Sequence, residues 1–170
     1  RQARFRWRDR FHRQGTSGGW VDVLVERVPH AVLRKPDRLM LIDPPGHELD
    51  PVSAKEAEGK LLIDGPGAAR QGQERGRLLD AAPALKPQIA SAEWVGNRRW
   101  NLTFNSGQLL ALPEGDLGAP ALVKFAQLDG MHRLIGGKPI AIDMRVPDRA
   151  YLRCDDGPCP KQMSLNGRSD

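Results

Sequence analysis

Residues 138–153, which read KPIAIDMRVPDRAYLR, constrain the fold most, because apolar side chains recur there at every second position. The alternating apolar residues are Ile140, Ile142, Met144 and Val146. This period is typical of a strand with one buried face. Pro147 and Asp148 interrupt the pattern, residues 150–153 resume it, and no comparable alternation follows in residues 154–170. The sequence therefore predicts a last strand at an open sheet edge, where free N–H and C=O groups can pair with another polypeptide.

The positive charge of the chain is concentrated at its start. The net charge is +5, and residues 1–13, with six arginines and one aspartate, account for all of it. Nucleic-acid readers usually carry a basic stripe on the folded domain. An exposed arginine face on a short strand is therefore the favoured interpretation, and nucleic-acid or anionic-lipid binding by this segment is an alternative. No apolar run is long enough for a membrane span.

The sequence contains no pattern that indicates catalysis, a metal site or a cofactor. Its histidines are isolated or lie in loops, no serine sits in a nucleophile elbow, and the glycines near residue 65 lack the lysine of a phosphate loop. We therefore expect no enzyme, no metal and no cofactor. Cys154 and Cys159 flank a turn sequence and could form a small disulfide or remain two thiols; a lone pair lacks the four ligands of structural zinc.

The order of predicted elements defines the fold class. Strands are predicted at 4–11, 21–26, 31–34, 39–42, 60–63, 89–95, 99–104, 108–112, 140–146 and 150–153. One helix is predicted to run to about Ala82, and a second to begin at Asp116 and to end at Gly136, while 44–51 is predicted as a turn-rich connection. Trp100, Leu102 and Phe104 are expected in the core. The order predicts an α+β fold, with an antiparallel β-sheet domain and two helices packed on it.

Five segments in this order resemble the FtsQ/DivIB division proteins of bacteria, and most closely the proteobacterial FtsQ type. They are VERVPHAVL (25–33), LIDPPGHEL (41–49), LLIDGPGA (61–68), RRWNLTFNSGQLLALPE (98–114) and IDMRVPDRAYLR (142–153). The resemblance implies that residues 1–27 are the last hairpin of a POTRA domain, that 28–154 form the FtsQ-type β domain, and that 155–170 are a disordered polar tail. It also implies a periplasmic location at the inner membrane of the division site, with a membrane anchor outside this chain.

The resemblance further implies a non-enzymatic divisome scaffold that recruits FtsB and FtsL by β-strand addition during cell division and septum formation. Carried onto this sequence, the partner-binding residues would be Arg99, Arg145, Val146, Arg149, Ala150, Tyr151, Leu152 and Arg153. In this interpretation the arginines would select an acidic partner segment and Tyr151 would add apolar area. Two alternatives stay open: Tyr151 packing internally, and Arg145 pairing with Asp143 or Asp148. A POTRA-linked binder of extended outer-membrane polypeptides is the alternative function.

Overall fold

The computed structural model describes residues 8–156 and 162–164. Strands β1 (Arg8–Gln14) and β2 (Trp20–Glu26) form a separate two-stranded antiparallel sheet. Their turn is closed by the amide of Gly15, which donates to the carbonyl of Gly19 at 2.6 Å. The predicted first hairpin is thus confirmed from Arg8 onward. Residues 1–7, including three of the clustered arginines, lie outside the described residues, and the domain boundaries remain predictions.

Within the described residues, all remaining strands join one ten-stranded sheet. The strands are β3 (Ala31–Arg34), β4 (Leu39–Ile42), β5 (Glu48–Val52), β6 (Leu62–Asp64), β7 (Ile89–Val95), β8 (Arg99–Phe104), β9 (Leu109–Ala111), β10 (Pro139–Asp143), β11 (Arg149–Cys154) and β12 (Gln162–Ser164). Their spatial order is β12-β11-β10-β9-β8-β7-β6-β3-β4-β5. β5 was not predicted, because Pro44 and Pro51 mark this segment as a turn.

Three helices accompany this sheet in the described part of the chain: α1 (Ala54–Ala57), α2 (Gly72–Ala81) and α3 (Gly118–His132). The α+β class is confirmed, but the sheet is mixed and not purely antiparallel. The pairs β3–β6, β6–β7 and β9–β10 are parallel. The reason is topological for two of them, since α2 connects β6 to β7 and α3 connects β9 to β10, and a helical crossover joins parallel neighbours.

The core lies between the sheet and the helices α2 and α3. Trp100, Leu102 and Phe104 are all at most 2% exposed, as the sequence predicted. Phe104 stacks on Phe125 of α3, with ring centroids 5.4 Å apart. α3 begins at Gly118 and not at Asp116, where the sequence predicted its start, because Asp116 lies inside a 3₁₀ turn that runs directly into the helix. The longest helix in the described ranges has 15 residues, and none of the helices there could span a bilayer.

An ion pair connects the segment after β2 to the ten-stranded sheet. The Arg27 guanidinium donates from Nη1 to Asp43 Oδ2 at 2.7 Å, and Asp43 is 3% exposed. The amides of Gly46 and His47 also donate to Asp43 Oδ1, at 2.9 and 2.7 Å. Burial raises the pKa of Asp43, but the hydrogen bonds from Arg27 and His47 outweigh it, and the net pKa is lowered. Asp43 is therefore a buried, ionised anchor for Arg27.

The end of the sheet differs from the predicted arrangement. β10 ends at Asp143, although the Met144 amide still donates to the Ala111 carbonyl at 2.9 Å. Val146 lies beyond the strand and is 46% exposed, so it is not part of the core face. Asp148 adopts a left-handed backbone with φ of 62°, which turns the chain into β11 at Arg149. Finally, Gln162–Ser164 form a strand where the sequence predicted none.

Candidate partner-binding surface

One face of the sheet between β8 and β11 is turned away from the helices. Along β8 the residues that alternate with the buried core positions are Arg99, Asn101 and Thr103, and all three are only half-buried. Because side chains on a strand alternate between its two faces, these residues lie on the side opposite to α2 and α3. The same holds for Asp143 of β10 and Tyr151 of β11, which alternate with buried neighbours. We call this side the outer face.

The strand register brings residues from four strands into one row on the outer face. Asn101 is opposite Ala111, Ala111 is opposite Asp143, and Asp143 is opposite Tyr151. Directly opposed residues on adjacent strands are close enough for their side chains to interact. The central strand β8 is therefore linked by direct neighbours to Tyr151, near the end of the sheet.

This row is the centre of an open groove of about 390 Å³. Small or apolar residues supply much of its lining: Leu109, Ala111, Ala141 and Ile142. Its charged lining residues are Arg99, Asp143, Arg145 and Arg153, so that three arginines face one aspartate. A groove with an apolar base and excess positive charge is complementary to a ligand that combines acidic and apolar side chains.

Asp143 and Arg145 form a bidentate ion pair at one side of the groove. Arg145 donates from Nε to Asp143 Oδ1 at 2.9 Å and from Nη2 to Oδ2 at 2.7 Å, and its amide donates to Oδ1 at 3.0 Å. The hydrogen bonds from Arg145 lower the pKa of Asp143, and the same contact raises the pKa of Arg145. Both groups therefore remain charged, and the pairing of Arg145 with Asp143 that the sequence left open is present.

The hydrogen-bond partner of Arg99 is a neutral side chain. Among the described residues, no carboxylate forms a direct ion pair with Arg99. It donates from Nη1 to Asn101 Oδ1 at 2.5 Å. Burial, followed by the nearby charge of Arg145, lowers the pKa of Arg99. A carboxylate from a ligand would relieve this repulsion. The arginine pair of Arg99 and Arg145 thus favours an acidic group above the groove.

The residues predicted as a partner-binding set divide into groups. Those that line the groove with exposed or half-buried side chains are Arg99, Arg145, Tyr151 and Arg153. Ala150 and Leu152 are buried, at 0% and 7% exposure, and alternate toward the core. Arg149 is exposed at the start of β11. Val146 is not brought to the groove, because it lines a separate notch beside α3 that also includes Leu117.

The sequence predicted an open sheet edge along the whole of β11, but part of this edge is covered. β12 pairs antiparallel with its first half, with Arg149 opposite Ser164 and Tyr151 opposite Gln162. On that side, the structure describes pairing with β12 at Arg149, Ala150 and Tyr151. β12 was missed because three residues are too few for an alternating pattern. The predicted open edge is therefore wrong for the first half of β11, and it stays a prediction for the second half.

Sequence reasoning missed other parts of the groove. Asn101 lies in an N-x-T sequon and gave no other signal, although its position between Trp100 and Leu102 places it on the outer face. Asp143 could have been found as a groove residue from its alternation with Ile142 on β10. Their cross-strand neighbours depend on register, which the sequence does not contain.

In the described residues no group of His, Cys, Asp and Glu could hold a metal ion. Cys159 lies outside the described residues, so its disulfide with Cys154 stays a prediction.

Comparison with known proteins agrees with the resemblance noted in the sequence. Residues 31–145 match the family model described as cell division protein FtsQ/DivIB, C-terminal. The proteins named cell division protein FtsQ from Novosphingobium aromaticivorans and Zymomonas mobilis are 62% and 41% identical to this chain. These matches extend over 131 and 150 residues, which are 76% and 82% of this chain. They cover 41% and 48% of the relatives, so this chain spans less than half the length of either protein.

A third relative with the same name, from Dinoroseobacter shibae, is 35% identical over 145 residues. This match covers 85% of the chain and 48% of the relative. The matched family region includes β3 to β10, and thus most strands that build the groove. The chain belongs to the FtsQ/DivIB family.

Proposed function

We propose that this chain is the partner-binding part of a non-enzymatic division scaffold, which recruits the periplasmic segments of FtsB and FtsL through β11 and the adjacent groove. The observation that carries the proposal is the contiguity of the two surfaces. Tyr151 and Arg153 belong to β11 and also line the groove, so one ligand could pair with the strand and fill the groove. The names of the relatives support a role in cell division.

The two surfaces would contribute in different ways. In an antiparallel ladder every second residue directs its N–H and C=O to a given neighbour, so the six residues of β11 direct about three such residues to the side that β12 partly covers. Each backbone hydrogen bond contributes a net of about 0.5–1.5 kcal/mol. Backbone pairing is nearly independent of sequence, whereas the arginines and Tyr151 read side chains. We therefore assign affinity chiefly to the strand and selectivity for an acidic segment to the groove.

The location follows from the same proposal. We place the chain on the periplasmic face of the bacterial inner membrane at the division site, where FtsB and FtsL would meet it. The resemblance to FtsQ-type proteins supports this assignment. In this role the chain brings proteins together and transforms no substrate.

The proposal is tested by two substitutions of exposed apolar residues that differ in position. Tyr151 is 39% exposed and lines the groove, whereas Val146 is 46% exposed and lies outside it. We expect Tyr151→Ala to weaken binding of the periplasmic FtsB segment by about tenfold or more, which is the usual effect of losing an aromatic anchor. Val146→Ala should change the Kd less than about twofold.

The measurement is calorimetric titration of each variant with the FtsB segment, after thermal unfolding has shown that both are folded. Equal Kd values for Tyr151→Ala and the parent chain would contradict the assignment of the groove. A large loss in Val146→Ala alone would instead point to the notch beside α3.

A further inference from the structure

Residues 64–70, which include the end of the segment LLIDGPGA, line a second groove that the proposed function does not use. The groove has a volume of about 720 Å³ and lies where the parallel strands β3 and β6 end. Much of its lining is apolar, from Leu33, Pro36, Pro66, Ala68 and Ala69. Its charged lining residues are Arg34, Lys35 and Arg70 against Asp64, so it carries excess positive charge. We call it the β3–β6 groove.

Two close backbone approaches hold the wall of the β3–β6 groove in place. An added Cβ at Gly65 would collide with the carbonyl oxygen of Trp94, and one at Gly46 would collide with that of Ala69. Residues 65–69 are therefore packed against β7 on one side and against the loop after β4 on the other. A wall packed in this way is preorganised, which lowers the free-energy cost of binding a ligand.

The positive charge of the β3–β6 groove is only partly neutralised within the chain. Arg70 is exposed, and no carboxylate among the described residues pairs with it. Arg34 pairs with Asp64 at 3.2 Å, but this contact is exposed and therefore contributes little. No aromatic side chain lines the groove to stack on a nucleic-acid base. The groove thus favours a protein segment that combines carboxylates with an apolar side chain.

The chain itself carries such a segment in residues 114–117, which we call the acidic turn. Glu114, Asp116 and Leu117 are exposed, and Leu117 reaches 54% exposure although it is apolar. Neither carboxylate has an ion-pair partner in the part of the chain that the structure describes. The turn is short and anchored at both ends, because Pro113 and Gly118 are buried and a 3₁₀ turn runs directly into α3. It is therefore a preformed complement to the β3–β6 groove.

The sheet topology places both surfaces at the same end of the sheet. β3, β6 and β7 are parallel, and β7 and β9 are both antiparallel to β8, so β3, β6, β7 and β9 end on the same side. The groove follows β3 and β6, and the acidic turn follows β9. Four strand spacings separate β3 from β9, which is about 19 Å. The acidic turn is thus too far away to enter the groove of its own chain.

We propose that this end of the sheet is a self-association surface, in which the acidic turn of one copy enters the β3–β6 groove of a second copy. Because both surfaces lie at one end, two copies related by a two-fold axis would form the contact twice. None of these residues lines the groove between β8 and β11, so the inference goes beyond the proposed function and does not depend on it. The assembly would carry two partner-binding surfaces.

The test is sedimentation equilibrium at about 0.01–1 mM protein, in about 50 and 300 mM salt, which gives the Kd of the dimer. The groove variant is Arg34→Glu with Arg70→Glu. The turn variant is Glu114→Lys with Asp116→Lys. A swapped variant combines all four substitutions, so that a basic turn meets an acidic groove.

The matched control is Arg133→Glu with Lys138→Glu. It makes the same change in net charge as the groove variant, but at the opposite end of the sheet, before β10 begins. Thermal unfolding shows first which variants are folded. The turn variant changes exposed residues alone, so it keeps the test decisive even if Arg34→Glu, placed beside Asp64, prevents folding.

We expect the parent chain to form dimers at the lower salt concentration and to dissociate as salt rises, because exposed charges are screened. The groove variant and the turn variant should each raise the dimer Kd about tenfold or more, since a two-fold contact replaces four attractions by repulsions. The swapped variant should return the Kd to within about threefold of the parent value, and the control should change it less than about threefold.

A parent chain that stays monomeric at about 1 mM protein and low salt would overturn the inference. A dimer whose Kd is unchanged in the turn variant would also overturn it, because the acidic turn would then not occupy the groove. So would a swapped variant that dimerises no better than the groove variant, since restored charge complementarity would have no effect.

Discussion

Reversing two charges of the groove should weaken partner binding in a salt-dependent manner. Arg99 and Arg153 line the groove on β8 and β11, and neither has an ion-pair partner in the described part of the chain. The perturbation is the double substitution Arg99→Glu with Arg153→Glu. Arg145 is left unchanged, because its bidentate contact with Asp143 stabilises the turn after β10.

The magnitude follows from the exposure of these groups. An ion pair at an accessible site contributes about 0.2–1 kcal/mol, and a like-charge contact costs a similar amount. Two reversals therefore remove two attractions and add two repulsions, for a total of about 0.8–4 kcal/mol, or roughly 4- to 900-fold in Kd. Most of the loss should appear in the association rate, and raising the salt from about 50 to 300 mM should shrink it.

The assay is biolayer interferometry with the immobilised FtsB segment at the two salt concentrations. The matched control is Arg38→Glu with Lys55→Glu, which makes the same change in net charge near β4 and α1, at the far end of the sheet. Its effect should be less than about threefold, which is the scale of a distant, screened charge change. A loss in the control as large as that in the groove variant would refute site-specific recognition, and so would a groove variant with unchanged kinetics.

Three further predictions concern stability, each measured by denaturant unfolding. In α2, Gly72→Ala should destabilise the fold by about 1–3 kcal/mol, because the added Cβ would lie 2.5 Å from a backbone carbonyl oxygen. The matched control is Gly76→Ala, where the added Cβ meets open space, and it should stabilise the fold by up to about 1 kcal/mol. Asp43→Asn should cost about 1–3 kcal/mol at neutral pH and reduce the acid sensitivity of the fold. Because the folded pKa of Asp43 is lowered, its contribution is fully present above the ordinary value of 3.8 and is lost as pH falls through the folded pKa. Phe104→Ala should cost about 3–5 kcal/mol, since the side chain is 1% exposed.

Periodicity predicted the central strands well because each is long enough to show it. β7 and β8 have the predicted bounds, and the alternation of Trp100, Leu102 and Phe104 identified the core face. β12 has three residues, and β5 contains Pro51, so local pattern gave no signal for either. The parallel pairings also escaped prediction, because they depend on how the two helical connections cross the sheet.

The groove could be predicted only in part, for a related reason. Arg99, Arg145, Tyr151 and Arg153 came from the family resemblance, and the structure brings them to one surface. Val146 came from the resemblance as well, as the start of the terminal strand, but the observed strand begins at Arg149. Which residues become neighbours across β8 to β11 is set by register, and register is fixed by the packing of the whole sheet.

Hydrogen exchange at β11 tests the central claim most directly. In the free chain, β12 already covers the first half of β11, Arg149–Tyr151, and the second half begins at Leu152. Addition of the periplasmic FtsB segment should increase protection in this second half of β11, because a new ladder would cover it. Unchanged exchange there, with protection rising instead at the opposite edge along β5, would contradict strand addition at β11.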